Sequence, residues 1–361
     1  IMAYTNIDDP SAYFQATTYT GGGANTEVTN SGNSDLKPDF LWIKNRTAAY
    51  GHFVVDSNRN ISYAQNSSNA PYLETESTAV ENNNQNWMAS VNTNGFTTGI
   101  AEHINNNAGS AFVAWQWKAN GGTTASNTDG TVTTTTQVNS DAGFSIVTWA
   151  GGGTGTLGHG LGETPDMWII KNRDYAVSWA VGFSDSSILG GRSKYLQLNT
   201  TNAISTYNNF WGTSDGQISS TTIGAAGDRT INISGNDYVG YFFKAKQGYS
   251  KFGKYVGNGN ANGTFVYTGF KPAFLLWKIT STTGDWRLVD TKRGVNGAIP
   301  RIKPNATSAE GSAGDNVDLL SNGFKFRSTA ASANASGASY IYMAFAENPF
   351  TTSTGIPATA R

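Results

Sequence analysis

A chain of 361 residues exceeds the roughly 250–300 at which one hydrophobic core stops growing, so two or three cores are expected. Only 14% of the residues are charged and the formal net charge is -1, so the basic footprint that nucleic-acid binding requires is missing, and no nucleic acid is expected as partner. Cysteine is absent, which removes disulfides, thiolate metal sites and cysteine nucleophiles together, and no uninterrupted apolar run approaches the ~18 residues of a membrane span, so no membrane insertion is expected.

In chain order, the first segment is an arm over 1–12, "IMAYTNIDDPSA". It has neither a basic nor an apolar signal region, so no signal peptide of the usual kind is expected. A first unit over 13–120 opens on an apolar strand that ends in "YTGGG" from Tyr19. It continues through Pro38, the strand "FLWIKN" with Lys44, a ring at His52, "NSSNA" from Asn66 and an "NGF" turn at Phe96. It closes with Gly109 and the aromatic strand "FVAWQW". The Thr-rich segment 121–142 follows as a linker or exchanged strand. A second unit over 143–248 then repeats the markers: "WAGGG" from Trp149, Pro165, Lys171, Trp179, "NTTNA" from Asn199, and Gly235 before "YVGYFF". A third, over 249–349, does so again with "YVGNG" from Tyr255, Pro272, Lys278, Trp286, "NATSA" from Asn305, "NGF" at Phe324, and Gly337 before "YIYMAF"; a tail covers 350–361. Many markers in one order at matching spacings mean internal triplication.

The strands fix the fold class. In "FLWIKN", Phe40, Trp42 and Lys44 share one face while Leu41, Ile43 and Asn45 share the other. Both faces begin apolar, which predicts an interior strand whose polar end emerges into water. Short strands of this kind between Gly, Asn, Ser and Thr turns describe an all-β chain of three tandem β-sandwich or jelly-roll units. Helical periodicity is weak, with at most a short turn in the stretch from Ser77 to Val91. Units two and three join almost directly and should pack as a rigid pair.

Several stretches invite a chemical reading. "GTGTLG" (Gly153–Gly158) matches a dinucleotide fingerprint, but the glycines and proline that follow deny it a helix, so turn glycine is expected. His52, His103 and His159 hold no common slot and are read as turn or core residues. Glu74, Glu76 and Glu81 in "LETESTAVE" resemble the alternate acids of sandwich glycosidases but lack their pattern, and hydrolysis is the least favoured reading. "NTDG" (Asn127–Gly130) and "TSDG" (Thr213–Gly216) suit calcium or, more simply, turns. No cofactor, metal or catalytic residue is expected. The ring slot at His52, Trp179 and Trp286, followed by Trp87 and Trp211 in Asn-rich loops, supplies the candidate ligand contacts, with buried packing the stronger reading of the slot.

Taken together, "GFSIVTWAGGG", "HGLGETPDMWIIKNR", "SKYLQLNTTNA", "YSKFGKYVGNGNANGTFVYTGFKPAFLLWK", "LLSNGFKFR" and "ASGASYIYMAFAENPF" resemble a family of bacteriophage virion proteins, common in marine phages, built from tandem concanavalin A-like β-sandwiches. The resemblance spans Phe14 to Phe350. It implies a non-enzymatic virion-surface component, usually a tail fibre or lectin-like protein, without implying a ligand or active-site residue. The expected partners are other virion proteins, further copies of the chain (trimers are common in fibres) and a host-surface glycan. Alternatives are a capsid decoration protein and a carbohydrate-binding module. The two arms are the expected attachment points to the particle.

Overall fold

The computed structural model describes residues 4–59, 71–83, 87–101, 105–311 and 315–357. The first unit contributes β1 (Phe14–Thr20), β2 (Glu27–Thr29), β3 (Phe40–Asn45), β4 (His52–Asp56), β5 (Met88–Asn92), β6 (Gly95–Thr98) and β7 (Ala111–Trp117). The connecting segment forms β8 (Ala125–Asn127) and β9 (Thr134–Asn139). The second unit holds β10 (Phe144–Ala150), β11 (Gly155–Gly158), β12 (Met167–Asn172), β13 (Ala180–Phe183), one short helix α1 (Ser186–Leu189), β14 (Lys194–Gln197), β15 (Ser205–Thr206), β16 (Thr222–Ala225) and β17 (Asp237–Phe243). The third holds β18 (Ser250–Val256), β19 (Phe265–Tyr267), β20 (Phe270–Ile279), β21 (Arg287–Asp290), β22 (Val317–Leu320), β23 (Gly323–Phe326) and β24 (Ser339–Pro349).

Every unit places its last strand between its first and second long strands. The orders are β1-β7-β3-β4, β10-β17-β12-β13 and β18-β24-β20-β21, all antiparallel. A smaller sheet opposes each: β2-β6-β5, β11-β16 and β19-β23-β22. The turn into each closing strand carries a glycine at positive φ, Gly109 (+76°), Gly235 (+85°) and Gly337 (+73°), a conformation that a side chain would strain. The Thr-rich connection does form an edge: β9 pairs with β10 and β8 with β9, widening the second sheet.

Strand alternation explains where the cores lie. Leu41, Ile43, Phe53, Phe112 and Ala114 face the small sheet of the first unit and pack on Val28, Met88 and Phe96. Equivalent faces fill the second unit around Trp168, Ile170 and Tyr238, and the third around Leu275, Trp277 and Tyr340. The opposite faces are apolar too, and all three point into one shared core. Phe40, Trp42, Trp115 and Trp117 meet Met167, Ile169, Tyr241 and Phe243, and also Phe274, Leu276, Met343 and Phe345. Three register-equivalent rings converge there, Phe345 lying 5.4 Å from Trp117 and 6.0 Å from Phe243. The molecule is thus three two-sheet units around a common centre, so the first unit joins the packing expected of units two and three alone.

A further expectation is corrected. The polar end of β3 does not emerge into water, since Lys44 and Asn45 are fully buried, as are Lys171, Asn172 and Lys278. A neighbouring unit covers each of these ends. In keeping with the weak helical periodicity there, the described part of Ser77–Val91 contains no helix; Glu81 N donates to Arg173 O of the second unit, and the stretch then enters β5.

Candidate functional site

The most elaborate polar constellation is the joint between units, which occurs three times. Each unit contributes a latch: Leu73–Glu81 in the first, Leu196–Ile204 in the second and Ile302–Glu310 in the third. The indole Nε1 of Trp179 donates to the carbonyl of Glu74 at 2.9 Å, and that of Trp286 to the carbonyl of Gln197 at 2.9 Å. His52 completes the ring by donating from Nε2 to the carbonyl of Lys303 at 3.0 Å. Its Nδ1 accepts from Trp42 Nε1 at 2.8 Å, which leaves the proton on Nε2 and makes the imidazole a substitute for an indole N–H. Burial and the nearby Lys44 hold His52 neutral, its pKa pushed down to about 3. Second unit grips first, third grips second, and first grips third.

Backbone bonds trace the same circuit. Glu81 N donates to Arg173 O, Ile204 N to Thr280 O and Glu310 N to Arg46 O. Within each unit a side-chain oxygen receives the amide of the slot residue: Glu76 from His52 at 3.0 Å, Asn199 from Trp179 at 3.0 Å and Asn305 from Trp286 at 2.8 Å. The three lysines lie beneath. Lys44, Lys171 and Lys278 each donate to the next residue's carbonyl at 2.7 Å, and the latter two also reach Thr78 O and Thr201 O of the neighbouring latch, both at 3.3 Å. Desolvation brings each down to about 8, partly opposed by Glu76 at Lys44 and by Asp285 at Lys278.

Among the described residues, charge pairs reinforce two of the three joints. Glu81 bridges Arg173 at 2.7 Å and the buried Arg59 at 2.8 Å, while Glu310 bridges Arg46 at 2.5 Å and approaches Arg293 at 3.4 Å. Burial pushes Glu81 upward, but the two guanidiniums outweigh it and hold the carboxyl below its ordinary value. Arg59 and Arg293 are themselves anchored by Asp56 and Asp290, at 2.6 and 2.7 Å. Tyr241 of the second unit donates to Asp56, and Trp115 of the first to Asp290. At the third joint Ile204, Thr280 and Phe183 stand in the corresponding places, so apolar packing replaces the ions.

These positions settle how the candidate residues are used. His52, Trp179 and Trp286 are 0%, 1% and 0% exposed, so the rings lock units together and present no face to a ligand. Trp87 stacks on Phe53 and lies tilted against Tyr72, and Trp211 packs edge-on against Trp168 with its N–H on Lys194 O; both are buried and present no open ring face to a ligand. Pro38, Pro165 and Pro272 precede or enter the strands that carry the lysines. "GTGTLG" runs into β11, which pairs with β16 and begins no helix. His159 is buried, bonded to Ser219 O and Leu161 N, and desolvated to about 4. Asn127 and Asp129 bond to each other, Asp215 pairs with Arg192, and no cluster of metal-ligating residues occurs among the described residues. His103 and Asn66 lie outside the described residues.

The latch of the first unit is what sequence reasoning missed. Asn66 stands as the counterpart of Asn199 and Asn305 by wording, yet Glu76 takes that place. The triad Glu74, Glu76 and Glu81, weighed above as a hydrolytic set, is the latch: one carbonyl under Trp179, one carboxylate on His52 N, one carboxylate between two arginines. The usable signal was the spacing from an aliphatic residue to the acceptor, Leu73 to Glu76 as Leu196 to Asn199 and Ile302 to Asn305. The described parts of the arms also meet: Tyr4 donates to Gly269 O, and Asp8 accepts from Ser353 N and Oγ.

A family model described as a domain of unknown function, DUF7483, matches residues 9–349. No curated protein and no solved structure matches the chain.

Proposed function

We propose that this chain, which belongs to the DUF7483 family, is a non-enzymatic structural component of a bacteriophage particle. In this reading it is a tail fibre or similar appendage whose three units are concanavalin A-like jelly rolls held as one rigid block for attachment to a host surface. The observation that carries the proposal is the closed ring of joints. The acids, histidine, lysines and tryptophans that elsewhere serve chemistry are spent here on fastening unit to unit, which suits a load-bearing part. The meeting of the described arm segments at the third unit supports tethering at one end, leaving the loops of the other units free to vary.

The test is labelling of intact particles with an antibody raised against the second unit. Label confined to the tail is the expected result. Label spread over the head would replace the appendage with a capsid decoration role, and its absence from particles would overturn the virion assignment.

A further inference from the structure

Near-repetition makes each unit a control for the others, and one departure leaves a hole. Asp39 and Asp166 occupy equivalent places just before β3 and β12, and each carboxylate is tightly held. Asp39 accepts from Ser57 Oγ at 2.9 Å, Ala119 N at 2.7 Å and Gly121 N at 2.9 Å; Asp166 accepts from Ala245 N at 2.7 Å and pairs with Lys244 at 3.2 Å. In the third unit the residue is Ala273. Thr291 and Glu347 stand where the first unit has Ser57 and Ala119, so the methyl group leaves partner positions without their acid. Ala273 and Glu347 are also the residues skipped in the register of β20 with β24, where Pro272 faces Ala346 and Phe274 faces Phe345.

A cavity of about 200 Å³ opens at this place, between the third unit and β1 of the first. Its floor is apolar (Phe14, Ala16, Ala273 and Ala346), and its walls carry the hydroxyls and amides of Ser11, Thr291, Asn33 and Asn348. Lys292, an exposed side chain, stands at the rim, its ammonium donating to the neutral Ser31 hydroxyl at 3.2 Å; among the described residues it joins no ion pair. Glu347, the one carboxylate of the lining among the described residues, is paired with Lys271 at 2.8 Å. An apolar floor with convergent polar groups is the general form of a small-molecule site. An exposed cation outside any ion pair, beside a missing carboxylate, favours an anionic occupant.

We propose that this cavity binds a carboxylate-bearing monosaccharide of the uronic-acid class, its carboxylate taking the place of the absent aspartate side chain and its ring lying on the Phe14–Ala273 floor. The proposal deepens the host-attachment reading and rests on it for its biological sense. Its chemistry is tested on the purified full chain, so failure here leaves the particle-labelling result unaffected.

The experiment is ligand-observed NMR titration with D-galacturonate, using D-galactose as the neutral control. Galacturonate should bind at least about tenfold more tightly than galactose, a difference of about 1.4 kcal/mol. Ala273→Asp, which installs the residue already present in the other two units, should fold and weaken galacturonate at least about tenfold. Lys292→Ala, a surface change, should weaken it similarly and leave galactose unchanged. No binding to the native chain, equal binding of both sugars, or galacturonate binding untouched by Ala273→Asp would each overturn the proposal.

Discussion

Raising the pH from 8 to 9 should stabilise this protein, which is opposite to the alkaline behaviour of most folds. Lys44, Lys171 and Lys278 titrate near 8 in the folded chain because burial disfavours the ammonium, against an ordinary value of 10.5 once unfolded. Between those values the unfolded chain binds more protons than the folded one, so stability rises with pH. Over the interval 8 to 9 the difference averages about 0.7 proton per lysine, and at 1.36 kcal/mol per unit each lysine contributes about 1 kcal/mol, or about 3 kcal/mol for the three. Buried tyrosines such as Tyr19, Tyr241 and Tyr249, whose pKa values are raised, act in the other direction, but mainly above pH 10, where their unfolded forms ionise. Urea unfolding followed by tryptophan fluorescence at half-unit steps reads the slope. Lys171→Met should remove about a third of it. A flat or falling stability across this window, or an unchanged slope in Lys171→Met, would refute the assignment of charged, desolvated lysines to the joints.

Five substitutions probe the ring itself. Trp286→Phe strands the buried Gln197 carbonyl and leaves a void, so it should cost about 2–4 kcal/mol in urea unfolding; a loss below about 0.5 would deny the lock. Tyr241→Phe removes only the hydroxyl that donates to Asp56 and should cost about 1.5–3 kcal/mol with no change in near-ultraviolet dichroism. Glu76, which burial raises to about 7 from an ordinary 4.5, loses stability for the fold as pH climbs through that range, so Glu76→Gln should be up to about 3 kcal/mol more stable than native at pH 8, the gap closing toward pH 4.5. Glu81→Ile alone should be strongly destabilising because Arg173 and Arg59 lose their partner. Adding Arg173→Thr rebuilds the Ile204–Thr280 type of joint, so the double-mutant cycle should return at least about 1 kcal/mol of favourable coupling.

Much of this architecture is legible in the sequence, and the failures have physical causes. The triplication and the face assignment of β3 follow from spacing and period-two alternation, which depend only on local geometry. The closed arrangement was written there too, in a form easily overlooked. A sandwich standing alone needs one apolar sheet face, yet Phe40 and Trp42 are as apolar as Leu41 and Ile43, and the second face can be buried only by another unit. The latch was obscured because hydrogen bonding conserves an acceptor oxygen or an N–H rather than a letter. Glu76 does the work of Asn199, and His52 the work of Trp179, so a search by residue identity favoured Asn66 and weighed the acids only against a hydrolytic pattern that they do not match.

A ring closed within one chain differs from a ring of three identical chains in a way that bears on function. Three copies must share every substitution, so a change that opens a cavity at one joint opens it at all of them. Here the joints have diverged: two are ionic, one rests on Ile204 and Thr280, and only the third unit replaces Asp39 and Asp166 with Ala273. The structural load can be carried by the joints that keep their charge pairs and aspartates while another position is released from it. Departures from the repeat, rather than the repeat itself, are therefore where a binding role can reside, and the space beside Ala273 is such a departure, lined in part by the exposed Lys292.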